Sequence, residues 1–189
     1  MKLSTLKAAI ALLLLTSVLA GCSTTAPVYQ SDFGSVNAMK NYDLEKMQVS
    51  NVSMAQPSME KISIRGGSVR SPYGTYAGYF KHALEEQLKQ AAVFDAGSGT
   101  EISCVVTNNK LDGSGSSKGT ADLAGNFTVK RNGQAIYNKS IAIHHEWPSS
   151  FVGAVAIPNA LQGYGVAVQK LVDAFYSDKE FIDAVKHTK

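Results

Sequence analysis

The chain has 189 residues, with 18 Lys and Arg against 15 Asp and Glu, a net charge of +3. Two of the basic residues, Lys2 and Lys7, stand in an N-terminal export signal, so the chain beyond it is nearly neutral and carries no electrostatic case for nucleic acid or an anionic partner. Of the two cysteines, Cys22 closes that signal, and Cys104 is left without an intramolecular disulfide partner.

Lys2 and Lys7 form the positive start of the signal, and Ala8 to Ala20 is an apolar run relieved only by Thr16 and Ser17. The run is shorter than the ~20 apolar residues of a spanning helix. It ends in Leu19-Ala20-Gly21-Cys22, the tetrapeptide of bacterial lipoprotein precursors. Residues 1–21 are thus predicted to be removed as a signal peptide. In proteins that this terminus resembles the cysteine carries a thioether lipid and an acylated amine (palmitate), and because two or more chains anchor stably where one binds marginally, Cys22 is predicted to hold the domain at a bilayer. Ser23 stands where an aspartate often retains lipoproteins at the inner membrane, so outer-membrane sorting with the domain facing the periplasm is expected.

Residues 22–56 show no sustained period and read as a lipidated cysteine and flexible tether, about 25–30 Å in root-mean-square span. A weak strand pattern lies between Asn41 and Val52, on Met47, Val49 and Val52. A single periplasmic domain is expected over 57–189. Lys61 to Arg65 alternates as a strand and stops at Gly66-Gly67, and Arg70 to Gly74 reads as a turn. Tyr76, Phe80, Leu84, Leu88 and Ala91 then recur at helical spacing over 75–92. In the strand at 101–111, Ile102, Cys104 and Val106 share a face, where a buried, unreactive thiol is expected at Cys104. A Gly/Ser loop over 112–119 leads into a strand over 120–131 with Ala121, Leu123, Phe127 and Val129 inward. Asn132-Gly133 predicts a two-residue hairpin. The following strand, 135–146, places Tyr137, Ile141 and Ile143 on one face.

Phe151 to Ile157 is an apolar bridge to a helix carrying Leu161, Tyr164, Val168, Leu171, Val172 and Phe175. Ser177-Asp178 caps a short final helix with Phe181, Ile182 and Val185. The order β-α-β-β-β-α-α predicts an α+β domain, an antiparallel sheet of about four strands with two main helices on one face. Phe80, Leu84 and Leu88 are expected to pack against Leu123, Phe127 and Ile141.

Chemistry-bearing patterns are sparse. His144 and His145 point to opposite faces of a strand, so they do not share a metal, and no metal site is expected. Asp112 to Gly119 lacks the Gly-Lys-Ser/Thr order and following helix of a phosphate loop, and no Gly-x-Ser-x-Gly elbow is present. No enzymatic activity is expected, and no cofactor apart from the lipid on Cys22. Two segments beside turns suit partner binding: the helix entrance with Tyr73, Tyr76 and Tyr79, and the bridge with Phe151, Val152 and Ile157. They are expected to be neighbours. The alternative is that Tyr76, Tyr79 and most of the bridge cover the end of the sheet.

Ser71-Pro-Tyr-Gly-Thr-Tyr, the Ala83-Leu-Glu-Glu-Gln-Leu helix ending in Val93-Phe-Asp, and Ser150-Phe-Val-Gly-Ala-Val-Ala-Ile-Pro resemble segments of an uncharacterised family of small proteobacterial envelope lipoproteins. The resemblance covers roughly residues 60–185. Some members carry an acyltransferase label, but the acyltransferase of lipid A synthesis is built on hexapeptide repeats and this chain has none. In topology the predicted domain also resembles auxiliary lipoproteins of lipid-transport systems. Together these readings imply a non-enzymatic, membrane-anchored lipoprotein binding an envelope protein or lipid, in transport, assembly or envelope maintenance. The alternative is an envelope hydrolase or transferase acting on cell-wall or lipid substrates.

Overall fold

Two pairs of left-handed residues set the hairpins of the domain, which a computed structural model describes over residues 23–187. The expected signal peptide and the expected lipidation site, Cys22, lie outside the described residues. Asn132 and Gly133, at φ 50° and 84°, form the expected two-residue turn between β6 (Lys118–Arg131) and β7 (Gln134–Pro148). Arg65 and Gly66, at φ 49° and 82°, do the same between β3 (Ile62–Ile64) and β4 (Gly67–Arg70). An arginine in the first turn position hid that second hairpin from the sequence reading, which placed a turn where β4 ends.

The main sheet has the order β2-β5-β6-β7. β5 (Thr100–Asp112), β6 and β7 form the expected antiparallel meander, whereas β2 (Gln48–Met54) runs parallel to β5. A parallel partner requires a crossover, and the chain supplies it through β3, β4 and α2 (Tyr76–Gln90). The fold is therefore α+β as expected, with one strand of the sheet reversed from a purely antiparallel plan. Ile102, Cys104, Val106, Ala121, Leu123, Phe127, Val129 and Tyr137 are buried on the helix side. At Thr107 the β5–β6 register slips by one residue. The extra residue shifts the alternation so that Asn109 faces inward, where its side chain accepts from the Tyr164 hydroxyl at 2.9 Å and donates to the Met59 carbonyl at 2.9 Å.

Phe80, Leu84 and Leu88 are buried as predicted. Their helix, α2, packs on β2, while α3 (Gly153–Tyr176) covers β6 and β7. Phe127 accordingly stacks on Phe175 of α3, with ring centroids 4.5 Å apart. α3 begins before Pro158, so the expected bridge is mostly the opening turn of this helix. The short α4 (Lys179–Val185) is capped as expected by Asp178, which accepts from the backbone N–H of Glu180 and Phe181.

The largest correction concerns residues 22–56. From Thr24 onward the chain is built into the body: β1 (Thr24–Thr25) pairs in parallel with β4, giving a second sheet of order β1-β4-β3. Ala26 and Tyr29 are buried, and α1 (Phe33–Lys40) is capped by Asp32 and buries Val36 and Met39. What holds this segment down is polar as well as apolar. The buried Gln87 amide of α2 accepts from the Tyr29 hydroxyl at 3.2 Å and donates to Ser35 Oγ at 2.7 Å and Asp173 Oδ1 at 3.1 Å. The expected flexible tether is thus absent between Thr24 and Gln56. Among the described residues no helix is long and apolar enough to cross a membrane.

Candidate functional site

Thr75 caps α2 by accepting from the Gly78 N–H at 2.9 Å, and the Glu60 carboxylate accepts from the Tyr76 and Ala77 N–H groups. These caps aim the first turn of α2 into the domain. Tyr76 and Tyr79 are fully buried around Tyr164, at centroid distances of 5.7 and 6.0 Å. The Tyr76 hydroxyl donates to the Val69 carbonyl at 3.0 Å and that of Tyr79 to the Pro27 carbonyl at 2.8 Å. An internal acceptor for each hydroxyl is what allows a tyrosine to be buried whole. Burial pushes both phenols upward in pKa. Tyr76 and Tyr79 are therefore core residues, not the contact surface expected of them. Tyr73 is half-buried, stacked on His82 at 4.0 Å and edge-on to Tyr79 at 5.6 Å.

The second expected segment divides differently. Phe151 is 85% exposed, Val152 57% and the adjoining Val155 48%, while Ile157 is partly buried against the core. These exposed apolar side chains sit on a fixed backbone. Arg65, from the β3–β4 turn, donates from Nη1 to the Phe151 carbonyl at 2.8 Å, from Nη2 to that of Ser150, and from Nε to that of Gly113 at 3.2 Å. Ser149 N–H donates to the Ser117 carbonyl at 2.9 Å. The guanidinium thus gathers three chain segments under the start of α3. Tyr73, Tyr76 and Tyr79 form one cluster and Phe151 and Val152 another, each with its own framework, rather than one shared surface.

A groove of ≈530 Å³ runs beside this patch, between Pro27–Gln30 and the outer side of α3 at Leu161, Gly165 and Val166. Pro27 fits there because Gly165 has no side chain: a Cβ would stand 3.1 Å from Pro27 Cγ. Val28 is exposed at the groove's rim.

His144 and His145 diverge across the sheet as strand alternation requires. His144 donates from Nδ1 to Asp122 at 2.6 Å and from Nε2 to Glu146 at 3.2 Å, and Lys118 lies 2.7 Å from the other oxygen of Glu146. Donation from both ring nitrogens belongs to the imidazolium, and the Asp122 bond, followed by that of Glu146, raises the His144 pKa. With both nitrogens engaged by carboxylates, the ring has none free to take a proton from a substrate. His145 is held below its usual pKa, first by burial and then by Lys170, whose ammonium donates to its Nδ1 at 3.0 Å. Burial pushes the Cys104 thiol up to about 12, away from the thiolate a nucleophile needs. Among the described residues no three His, Cys, Asp or Glu side chains gather as a metal-binding group.

Sequence reasoning missed Arg65 and the residue 24–30 segment. Arg65 carried no signal, since its role depends on carbonyls some 50 and 86 residues away. The apolar content of Ala26-Pro27-Val28-Tyr29 was the available sign that the second docks.

No protein-family model matches the chain, and no curated protein matches it. The fold is similar to that of protein XCC0632 from Xanthomonas campestris, of family DUF330, at a TM-score of 0.55 and 13% identity over 82% of this chain and 95% of that one. A candidate lipoprotein from Caulobacter crescentus CB15 aligns at a TM-score of 0.44 and 13% identity, over 76% and 90% of the two chains. At these identities the likeness to the Xanthomonas protein is one of fold: this chain shares the α+β architecture of a DUF330 protein.

Proposed function

We propose that the chain is a bacterial envelope lipoprotein, cleaved before Cys22, lipidated there and sorted to the outer membrane with its domain facing the periplasm. Its role is non-enzymatic: it binds an envelope component, protein or lipid, through the exposed start of α3 at Phe151 and Val152. The carrying observation is the export signal ending in Leu19-Ala20-Gly21-Cys22, followed after a single residue by a strand of the fold. A signal of this kind places a domain at a bilayer, and an apolar patch fixed on a hydrogen-bonded frame is a binding feature rather than a catalytic one.

Sucrose-gradient fractionation and envelope incubation test this together. Co-migration with outer-membrane markers is expected, and co-migration with inner-membrane markers would refute the sorting. Incubating the purified lipidated protein with peptidoglycan and envelope lipids is expected to leave their mass spectra unchanged. A hydrolysed or transferred product that depends on the protein would establish the enzymatic alternative.

A further inference from the structure

The short path from Cys22 into the fold determines which side of the domain meets the membrane, on the reading that Cys22 is lipidated. Thr24 is two residues from Cys22, so their Cα atoms are at most about 7.6 Å apart, at ~3.8 Å per residue. The lipid is therefore attached close to wherever β1 begins.

Two separate features of the structure locate that beginning. β1 runs parallel to β4 with Thr24 opposite Val69 and Thr25 opposite Arg70. Traced backwards, the chain heads for the start of β4 at Gly67, beside the Arg65–Gly66 turn whose guanidinium holds the Ser150 and Phe151 carbonyls. Traced forwards, Pro27 lies at Gly165 and the Gln30 carbonyl accepts from Gln169 Nε2, so the segment travels toward the C-terminal end of α3 as it leaves β1. Reversing that direction leads to the N-terminal end of α3. Both traces converge on the end of the domain where Phe151, Val152 and Val155 are exposed.

We infer that Phe151, Val152 and Val155 insert into the bilayer surface beside the acyl chains of Cys22, so that the domain is seated on the membrane by its α3 N-terminal end. Three side chains are a small patch for a freely diffusing domain. Held at the same end of the domain as the anchor, they bind intramolecularly at high effective concentration, and a weak contact is enough to set orientation. The charge at this end is mixed and close to balanced: Arg65 spends its donors on the Gly113, Gly115, Ser150 and Phe151 carbonyls beside the exposed Asp112, and Lys118 pairs with Glu146, so the contact with lipid is carried by the apolar side chains. Seating by this end turns the β6–β7 hairpin tip at Asn132-Gly133 away from the bilayer, because β6 and β7 run from Lys118 and Pro148, near Phe151, to that turn at the other end of the sheet.

The test uses the full lipidated protein in vesicles of phosphatidylethanolamine and phosphatidylglycerol, with an environment-sensitive dye on Val152→Cys and, separately, on Gln134→Cys at the hairpin. Buried Cys104 gives the unlabelled background. The Val152 dye is expected to shift to the blue and lose emission to spin-labelled acyl chains, while the Gln134 dye keeps its aqueous spectrum. Val155→Cys repeats the measurement one helical turn on. If the protein floats with the vesicles and the 152 and 155 dyes remain aqueous, the seating is wrong although the anchor is right. If wild-type protein does not float, the lipidation reading fails and takes the seating with it. Shielding at 152 in whole envelopes but not in lipid vesicles would assign the patch to a protein partner and overturn the bilayer as its occupant.

Discussion

The indole of Trp147 lies directly against Gly163: a Cβ at 163 would fall 2.3 Å from the ring carbons. Gly119 of β6 meets the same ring, with a Cβ position 2.4 Å from its Nε1. The two glycines let the last inward residue of β7 slot between strand and helix, which brings α3 down onto the sheet just after the Phe151 corner.

Gly163→Ala is therefore expected to destabilise the domain by about 1–3 kcal/mol, as overpacking does in a closed core. The single tryptophan reports it directly: the emission of Trp147 should change and the thermal midpoint should fall. An unchanged midpoint would mean that the helix and indole separate without cost.

Gln87→Leu removes the acceptor of the Tyr29 hydroxyl and the donor to Ser35 and Asp173. Ser35 and Asp173 are only partly buried and bond each other, so the buried Tyr29 hydroxyl is the group left unpaired, and a loss of about 1–3 kcal/mol is expected in chemical denaturation. A neutral outcome would show that water replaces the amide.

If residues 24–30 belong to the fold, their amides exchange slowly. The Ala26 N–H donates to the Arg70 carbonyl at 2.8 Å, and its hydrogen exchange should be protected to nearly the degree of neighbouring β4. Exchange at the rate of a free peptide would restore the tether.

His144 should titrate above the usual histidine range, and Asp122→Asn should lower its pKa, since the Asp122 bond is the largest cause of the shift. The sign for stability follows from the raised folded-state value. The pair's contribution is complete below the ordinary histidine pKa and is lost as pH rises through the raised one. The ring-proton chemical shift of His144 followed against pH, in wild type and Asp122→Asn, is the measurement; coincident curves would show the bond to be absent in solution.

The meander was legible because its signals are local. Asn132-Gly133 states its own turn conformation, and long alternation in β5, β6 and β7 gives each strand many inward positions to display. The two-residue β1, the four-residue β4 and the eight-residue α1 offer too few positions for a period to emerge, whereas Ile62 and Ile64 marked β3 by their alternation. Tyr76 and Tyr79 illustrate a conflict between two signals. Composition near a turn suggested a surface, but Tyr76 stands on the helical row of Phe80 and Leu84, and that row is what the fold buries. At Phe151 and Val152 the turn-side placement gave exposure, while Ile157, further into α3, is partly buried. Which helix covers which strands depended on β2 running parallel to β5, a long-range pairing with no local sequence sign.

Metabolic labelling with a palmitate analogue tests the central claim most directly, by comparing wild type with Cys22→Ala in the native bacterial host. The account predicts a labelled, processed wild-type protein in the membrane fraction and an unlabelled, unprocessed or mislocalised Cys22→Ala protein. Equal labelling of the two would contradict it.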